Sequence, residues 1–273
     1  MTASIRLIVN ADDYGYFHSV SRGIRAAHRA GAVTATGIMA NGPAFAVAVA
    51  ELAELPQLDL GVHLNLSYGA PLTAALAGRL AQGRFAGKFA ALAAVARGHW
   101  PLALVAAEWR AQIERCSDAG LKVCFINSHE HVHMYPPLYR IAAGLAAEYG
   151  IRWLRRTTPE WHGSQGLLRN LLLGLMAALT PADATQPRLL GLAGSGRLGI
   201  PELRTALTGL EAGRTYELMC HPGEFDGAEL VDPALRVYHD WSRELAALTH
   251  PDFVALCREA GIRLATFREL HRV

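Results

Sequence analysis

The sequence predicts an α/β protein with a (β/α) barrel-like core, a distorted or incomplete TIM-type barrel of about seven βα units. Three observations lead there. Short apolar runs alternate with helical stretches, the pattern of successive βα repeats. The length of 273 residues is near the ~250 typical of one such barrel. Polar, proton-handling residues recur where the apolar runs end, and in barrels and open parallel sheets the carboxyl ends of the strands carry the chemistry. An open doubly wound sheet is the alternative built on the same pattern.

The elements follow in order. Residues 5–10 read as a first strand, and a helix over 19–30 stops at Gly31. A second strand over 33–39 ends in Asn41-Gly42-Pro43, and a third over 58–64 delivers His63 near its end. A helix over 101–119 stops at Gly120 and feeds a strand over 122–127. Pro136-Pro137 opens a helix reaching Tyr149, with Gly150 as its stop and a strand over 151–155 behind it. Residues 203–210 read as helix, 215–220 as strand and 262–267 as the last strand. The stretch 159–199 is the least regular and reads as an insertion over one barrel mouth, within a single catalytic domain spanning 1–273.

Composition excludes several classes. Half the residues are apolar, enough for a sizeable core, and the formal charge of +2 has no dominant sign. Basic runs are as short as Arg152 with Arg155-Arg156, so no nucleic-acid partner is expected. Cys116, Cys124, Cys220 and Cys257 form no Cys-x-x-Cys pair and suggest neither a zinc ribbon nor a disulfide framework. Scattered, apolar-flanked cysteines fit buried thiols in a reducing cytosol, although Cys220 beside His221 also admits a nucleophile. The apolar stretch 85–107 is broken by Lys88, Arg97, Gly98, His99 and Pro101, and 167–179 is too short to cross ~30 Å of hydrocarbon. With no secretory leader before the first strand, the expectation is a cytoplasmic protein without an integral membrane span.

Four clusters carry chemistry. Asp12-Asp13 closes the first strand, and neighbouring side chains in extended backbone point opposite ways. One can then bind a metal while the other faces a water; a helix cap or Asx-turn is the plain alternative. His63 reads as a ligand or as a hydrogen-bonded core histidine. His129, His131 and His133 alternate, so a strand-like path puts all three on one side. Because each buried imidazole needs a polar partner, that density points to a metal or catalytic role for at least one.

The cluster is not His-Glu-x-x-His, so the zinc-protease helix is absent; Glu130 is either a partner of a histidine or a solvated loop residue. His221 sits at a strand-to-turn junction before Pro222-Gly223, a place suited to a proton donor or to a turn cap. Arg155 and Arg156 end another strand and can orient a substrate, hold an acidic side chain or form exposed ion pairs. Gly194-Ser195-Gly196-Arg197-Leu198-Gly199 matches Gly-x-Gly-x-x-Gly only formally, behind a weak strand candidate at 189–193. A loop bordering a pocket is the better reading. No Gly-x-Ser-x-Gly nucleophile elbow occurs.

In this order the motifs resemble the YdjC-like carbohydrate deacetylases, a group with chitooligosaccharide-deacetylating and hopanoid-associated members. The matching residues are Asn10-Ala11-Asp12-Asp13-Tyr14-Gly15, Val33-Thr34-Ala35-Thr36, Gly61-Val62-His63-Leu64, Ser128-His129 through His133, and Cys220-His221-Pro222-Gly223. The resemblance implies a (β/α)-barrel-like hydrolase that removes N-acetyl groups from sugars with one divalent metal of the magnesium or zinc class. By motif position it implies Asp13, His63 and His129 as metal ligands, Asp12 as general base and His221 as proton donor. Arg155 matches an arginine on a central strand. One departure stands out: many members carry Asp where this chain has Asn127, and hopanoid-type members carry Asn. The acceptor, an N-acetylated oligosaccharide or glycolipid, is left open.

Two other readings compete. Another mononuclear amidohydrolase or phosphoesterase on the same barrel normally shows His-x-His at its first strand, where this chain has Asp-Asp. A non-catalytic glycan-binding barrel conflicts with the complete set Asp12, Asp13, His63, His129 and His221. The apolar segment 166–179 reads as a wall for a lipid-linked sugar, a core helix or a homodimer interface.

Overall fold

The computed structural model describes residues 4–161 and 166–270. Strands β1 (Ile5–Tyr14), β2 (Ala35–Ile38), β3 (Asp59–Leu64), β4 (Val123–Ser128), β5 (Trp153–Leu154), β6 (Arg188–Leu190), β7 (Thr215–Cys220) and β8 (Ile262–Leu264) form one sheet with parallel neighbours. The path runs β5-β4-β3-β2-β1-β7-β6, and β8 pairs the first residues of β1. Between them lie α1 (His18–Arg29), α2 (Phe45–Leu52), α3 (Ala74–Ala77), α4 (Lys88–Ala96), α5 (Leu102–Asp118) and α6 (Pro136–Glu148). Then follow α7 (Leu167–Ala178), α8 (Ile200–Leu207), α9 (Pro233–Tyr238), α10 (Trp241–Thr249), α11 (Pro251–Glu259) and α12 (Phe267–Leu270). The predicted stops at Gly31, Gly120 and Gly150 take φ of +80°, +77° and +65°, the left-handed cap that glycine adopts without a Cβ penalty.

The sheet curls. Arg155, just past β5, reaches Asp12 on β1 and Glu217 on β7 with its own guanidinium. In a flat sheet β5 and β1 stand four strand spacings apart, roughly 19 Å at 4.8 Å each, farther than one arginine side chain spans. The curl brings the two strands face to face across an interior. Among the described residues no ladder joins β5 to β6, so the barrel is incomplete, as the sequence predicts.

That interior is layered. Ile8, Ala35, Phe125, Trp153, Ala265, Phe267 and Leu270 fill its amino-terminal end as a separate apolar cluster, with the Phe125 and Phe267 rings stacked at 4.5 Å. Gly61 has no side chain because the Phe125 ring occupies the place of its Cβ. Asn10 and Glu217 lie above this plug, and Asp12, His63, Asn127 and Arg155 above them, all buried. On the outside, Leu7, Val9 and Ala11 of β1 pack with Val20, Ile24 and Ala27 of α1 in the main core. Burial on both faces is why this strand begins as a continuous apolar run.

The structure extends the sequence reading in two places. β1 runs to Tyr14 rather than ending at Asn10, because Asn10 and Asp12 find polar partners inside the curl. Residues 233–259 hold α9, α10 and α11, and 159–199 holds α7 and β6, whose Leu189 and Leu190 pair Glu217 and Leu218. Among the described residues no helix is long and apolar enough to cross a membrane.

Candidate active site

Asp12 and Asp13 both face the same centre, against the alternation expected from sequence. A register shift between Ala11 and Tyr14 interrupts the β1–β2 ladder, and Asp13 takes φ +73°. Among non-glycine residues aspartate is one of the few that tolerate this region. The bulge cancels the alternation, so Asp12 Oδ1 lies 3.9 Å from His63 Nδ1 while Asp13 Oδ1 lies 3.1 Å from His63 Nε2. His129 Nδ1 completes the group, 2.8 Å from Asp13 Oδ1. One donor atom from each of Asp13, His63 and His129 lies within 4.8 Å of the others, and all three residues are buried.

These donors suit a cation. Asp13 Oδ2 is buried without a hydrogen-bond partner, an arrangement that calls for a ligand in a native protein. His63 Nδ1 sits 2.7 Å from Asn127 Oδ1, while Asn127 Nδ2 donates to Asp12 Oδ1 at 2.8 Å. With the amide oriented by Asp12, its oxygen accepts, so His63 carries its proton on Nδ1 and presents a lone pair on Nε2. Burial pushes the Asp13 carboxyl up, but His129 and His63 outweigh it and hold Asp13 well below the usual range. Burial likewise pulls His129 down, and Asp13 overrides it and raises the imidazole.

Asn127 thus links a candidate metal ligand to a candidate base, with no charge of its own. Asn127→Ala is expected to weaken divalent-ion binding by about 10–100-fold, the usual effect of losing such a partner. Calorimetric titration of zinc into both proteins measures it; equal affinities would remove Asn127 from the metal centre.

Beneath Asp12 lies a buried charge network. Arg155 donates from Nη1 to Asp12 Oδ2 at 2.5 Å and from Nη2 to Asp12 Oδ1 at 2.9 Å. It also donates to Glu217 Oε1, which accepts from Asn10 Nδ2 at 2.7 Å as well. Burial alone would raise the Asp12 carboxyl, but Arg155, with help from His63, brings it down to about 2. Arg155 therefore grips an acidic side chain; it is absent from the cavity lining. Arg156 points elsewhere and bonds the carbonyl of Ala177 on α7.

The histidine cluster is not strand-like. Residues His129–Met134 form a 3₁₀ turn in which Glu130 and His131 take φ of +53° and +55°. The three imidazoles consequently separate. His129 meets Asp13. His131 lines the cavity with Nδ1 3.1 Å from Thr157 Oγ1. His133 is fully buried between the Ser128 hydroxyl at 2.6 Å and the Arg155 carbonyl at 2.8 Å, and burial lowers it to about 4. A neutral His133 tying β4 to the Arg155 backbone is a positioning element. Glu130 pairs with Lys88 at 3.0 Å on the cavity edge.

His221 closes the opposite side. Its backbone N–H donates to Glu244 Oε2 at 2.5 Å, and its Nδ1 lies 3.9 Å from the same oxygen with no hydrogen-bond partner. Its ring stands 4.8 Å from that of His239. Asp12 and His221 are near enough to act on each other electrostatically. Cys220 beside it is buried with Sγ toward the Asn10 carbonyl, and burial pushes its thiol well above the ordinary value. It does not line the cavity, which removes the nucleophile reading.

Sequence reasoning missed Glu217, Glu244 and His239. Glu217 did leave a signal, a carboxylate inside an otherwise apolar buried strand. Glu244 left none, because nothing in an amphipathic helix says that one glutamate turns inward.

Asp12, Asp13, His63, His129 and His221 line one cavity of about 350 Å³. Its walls are Phe89 and Leu92 of α4 and Leu168, Leu172 and Met176 of α7, with Leu192 and Ser195 from the loop after β6. The formal glycine motif at 194–199 therefore borders the pocket and leads into α8, where the Gly199 N–H donates to Glu202 Oε2 at 2.9 Å.

Comparison with known proteins agrees with this picture. The chain is 31% identical to a carbohydrate deacetylase of Geobacillus stearothermophilus, over 97% of this chain and 98% of the relative. It is 40% identical to a carbohydrate deacetylase of Brevibacillus brevis, over 97% and 100%. A chitooligosaccharide deacetylase of Klebsiella pneumoniae is 34% identical over 97% and 98%. A crystal structure from Enterococcus faecalis V583, provisionally named for cellobiose-phosphate cleavage, superimposes with TM-score 0.76 at 25% identity, covering 98% of this chain and 99% of that one. The YdjC-like protein family matches residues 6–259. With the match spanning nearly the whole chain, the protein belongs to the YdjC-like family.

Proposed function

We propose that the protein is a metal-dependent carbohydrate deacetylase, converting an N-acetylated sugar to acetate and the amino sugar. The observation that carries this reading is the convergence of Asp12, the Asp13–His63–His129 group and His221 on one cavity. Relatives named as carbohydrate deacetylases along nearly the full length support it. A divalent ion held by Asp13, His63 and His129 would supply Lewis acidity to the acetamide carbonyl and acidify a water. Two imidazoles and one carboxylate favour zinc, cobalt or nickel on ligand softness, while water-filled positions also accept magnesium.

The chain's own residues do the rest. Asp12, ionised by Arg155, takes the proton that water loses as its oxygen attacks the carbonyl carbon. A carboxylate held near pKa 2 is a weak base, so this step depends on an acidified water. The carbon–nitrogen bond then breaks as His221 delivers a proton to the departing amine. Glu244 pins the His221 backbone and faces its Nδ1, restricting the ring for that transfer. The apolar walls from α4 and α7 favour an acceptor with an apolar part, such as a glycolipid, over a free oligosaccharide. The four free thiols fit the cytoplasm as compartment.

The test is acetate release by protein reconstituted with Zn, Co, Ni or Mg, on N-acetylglucosamine oligomers and on a lipid-linked N-acetylglucosamine. Release that requires the metal is expected. Bound metal with no release from any N-acetyl sugar would sink the reading in favour of another metal hydrolase.

A further inference from the structure

Helix α7 is apolar on the wrong side. Asn170, Leu173 and Ala177 are its buried residues, while Leu167, Leu168, Leu171, Leu172, Leu175 and the cap residue Leu179 are 47–71% exposed. At 3.6 residues per turn these six leucines fall within an arc of about 140°, opposite the buried side. A surface helix normally presents charged and polar residues there, and a contiguous apolar patch marks an interaction site. Between Gly166 and Thr180 the only charged residue is Arg169; no carboxylate occurs.

We propose that this outward face of α7 docks the protein onto a lipid surface. Two arguments select that occupant. The patch joins the cavity: Leu168 and Leu172 belong to the exposed arc and also line the catalytic pocket, across from Phe89, which is 77% exposed. Whatever covers the leucines therefore stands at the pocket mouth, where a second copy of the chain would obstruct entry and a fluid lipid surface would not. The area is also wrong for a dimer. A 12-residue helix presents roughly 200 Å² in projection, against about 800 Å² per partner in a stable interface. A lipid interface asks only that the apolar face sink about 5–10 Å.

This inference does not depend on the deacetylase reading, because binding is measured without turnover. Full-length protein is co-sedimented with phosphatidylcholine vesicles, with and without phosphatidylglycerol. The comparison is the triple variant Leu167→Gln, Leu171→Gln, Leu175→Gln, whose three positions do not line the cavity. Wild type is expected to partition onto vesicles, and the variant to lose at least about tenfold in partition coefficient. Its melting temperature and metal binding should be unchanged. Wild type left in the supernatant with both vesicles overturns the proposal, as does equal binding by the variant. A wild-type dimer by light scattering that the variant turns into monomer, with no vesicle binding, also overturns it and assigns the face to a second copy.

Discussion

Asp12→Asn is expected to lower kcat by about 10²–10⁴-fold, the range for a lost general base, with divalent-ion binding retained. The separation follows from geometry. The close donor group is Asp13, His63 and His129, whereas Asp12 spends its oxygens on Arg155 and Asn127 and offers the cavity a proton acceptor. An amide at position 12 is nearly isosteric but accepts no proton from water. Metal content of the purified variant and single-turnover acetate release measure the two halves separately. A variant that binds one equivalent of metal and still turns over within about threefold of wild type would remove Asp12 from the base role.

Arg155→Met should cost about 3–5 kcal/mol of stability, the usual result of removing one partner from a buried charge group. Asp12 and Glu217 would then face each other without the cation that both now contact. Denaturant melts with metal-free protein measure this. A loss under about 1 kcal/mol, the scale of a surface pair, would show that the network is far more hydrated than its burial indicates.

The pH dependence has a definite sign. The Asp12 carboxyl is lowered from the ordinary 3.8 to about 2 on folding, so its pairing stabilises fully above the unfolded value. That contribution is lost as pH falls through about 2. The stability difference between wild type and Arg155→Met should therefore narrow in acid. Arg155→Lys separates charge from shape: it keeps the cation but not the planar fork that grips both carboxylates. It should recover part of the stability and little of the activity.

The barrel was legible because its cause is local. A parallel strand buried on both faces must be apolar along its length, as Leu7, Ile8 and Val9 are, and helices must end where Gly31, Gly120 and Gly150 supply left-handed backbone. Polar residues at strand ends then mark the working face whatever the closure of the sheet. Asp12-Asp13, His63, His129 and His221 stood out on that basis, and the structure gathers them around one cavity. The segment carrying β6 and α7 was obscure for the converse reason. Three strand residues and a leucine-rich helix have no period that distinguishes core from surface.

Sequence alone therefore determined the fold class, the family and which residues could do chemistry, because residue type and local backbone preference travel with the chain. Tertiary structure decided which of them cooperate. Only the bulge at Asp13 turns both aspartates toward His63, and only the 3₁₀ turn sends His129 to the centre and His133 into the scaffold. Only the curl lets Arg155, 143 positions from Asp12 in the chain, set the charge of that carboxylate. Contacts of that separation depend on how strands pack across an interior, and no local pattern encodes the distance between them.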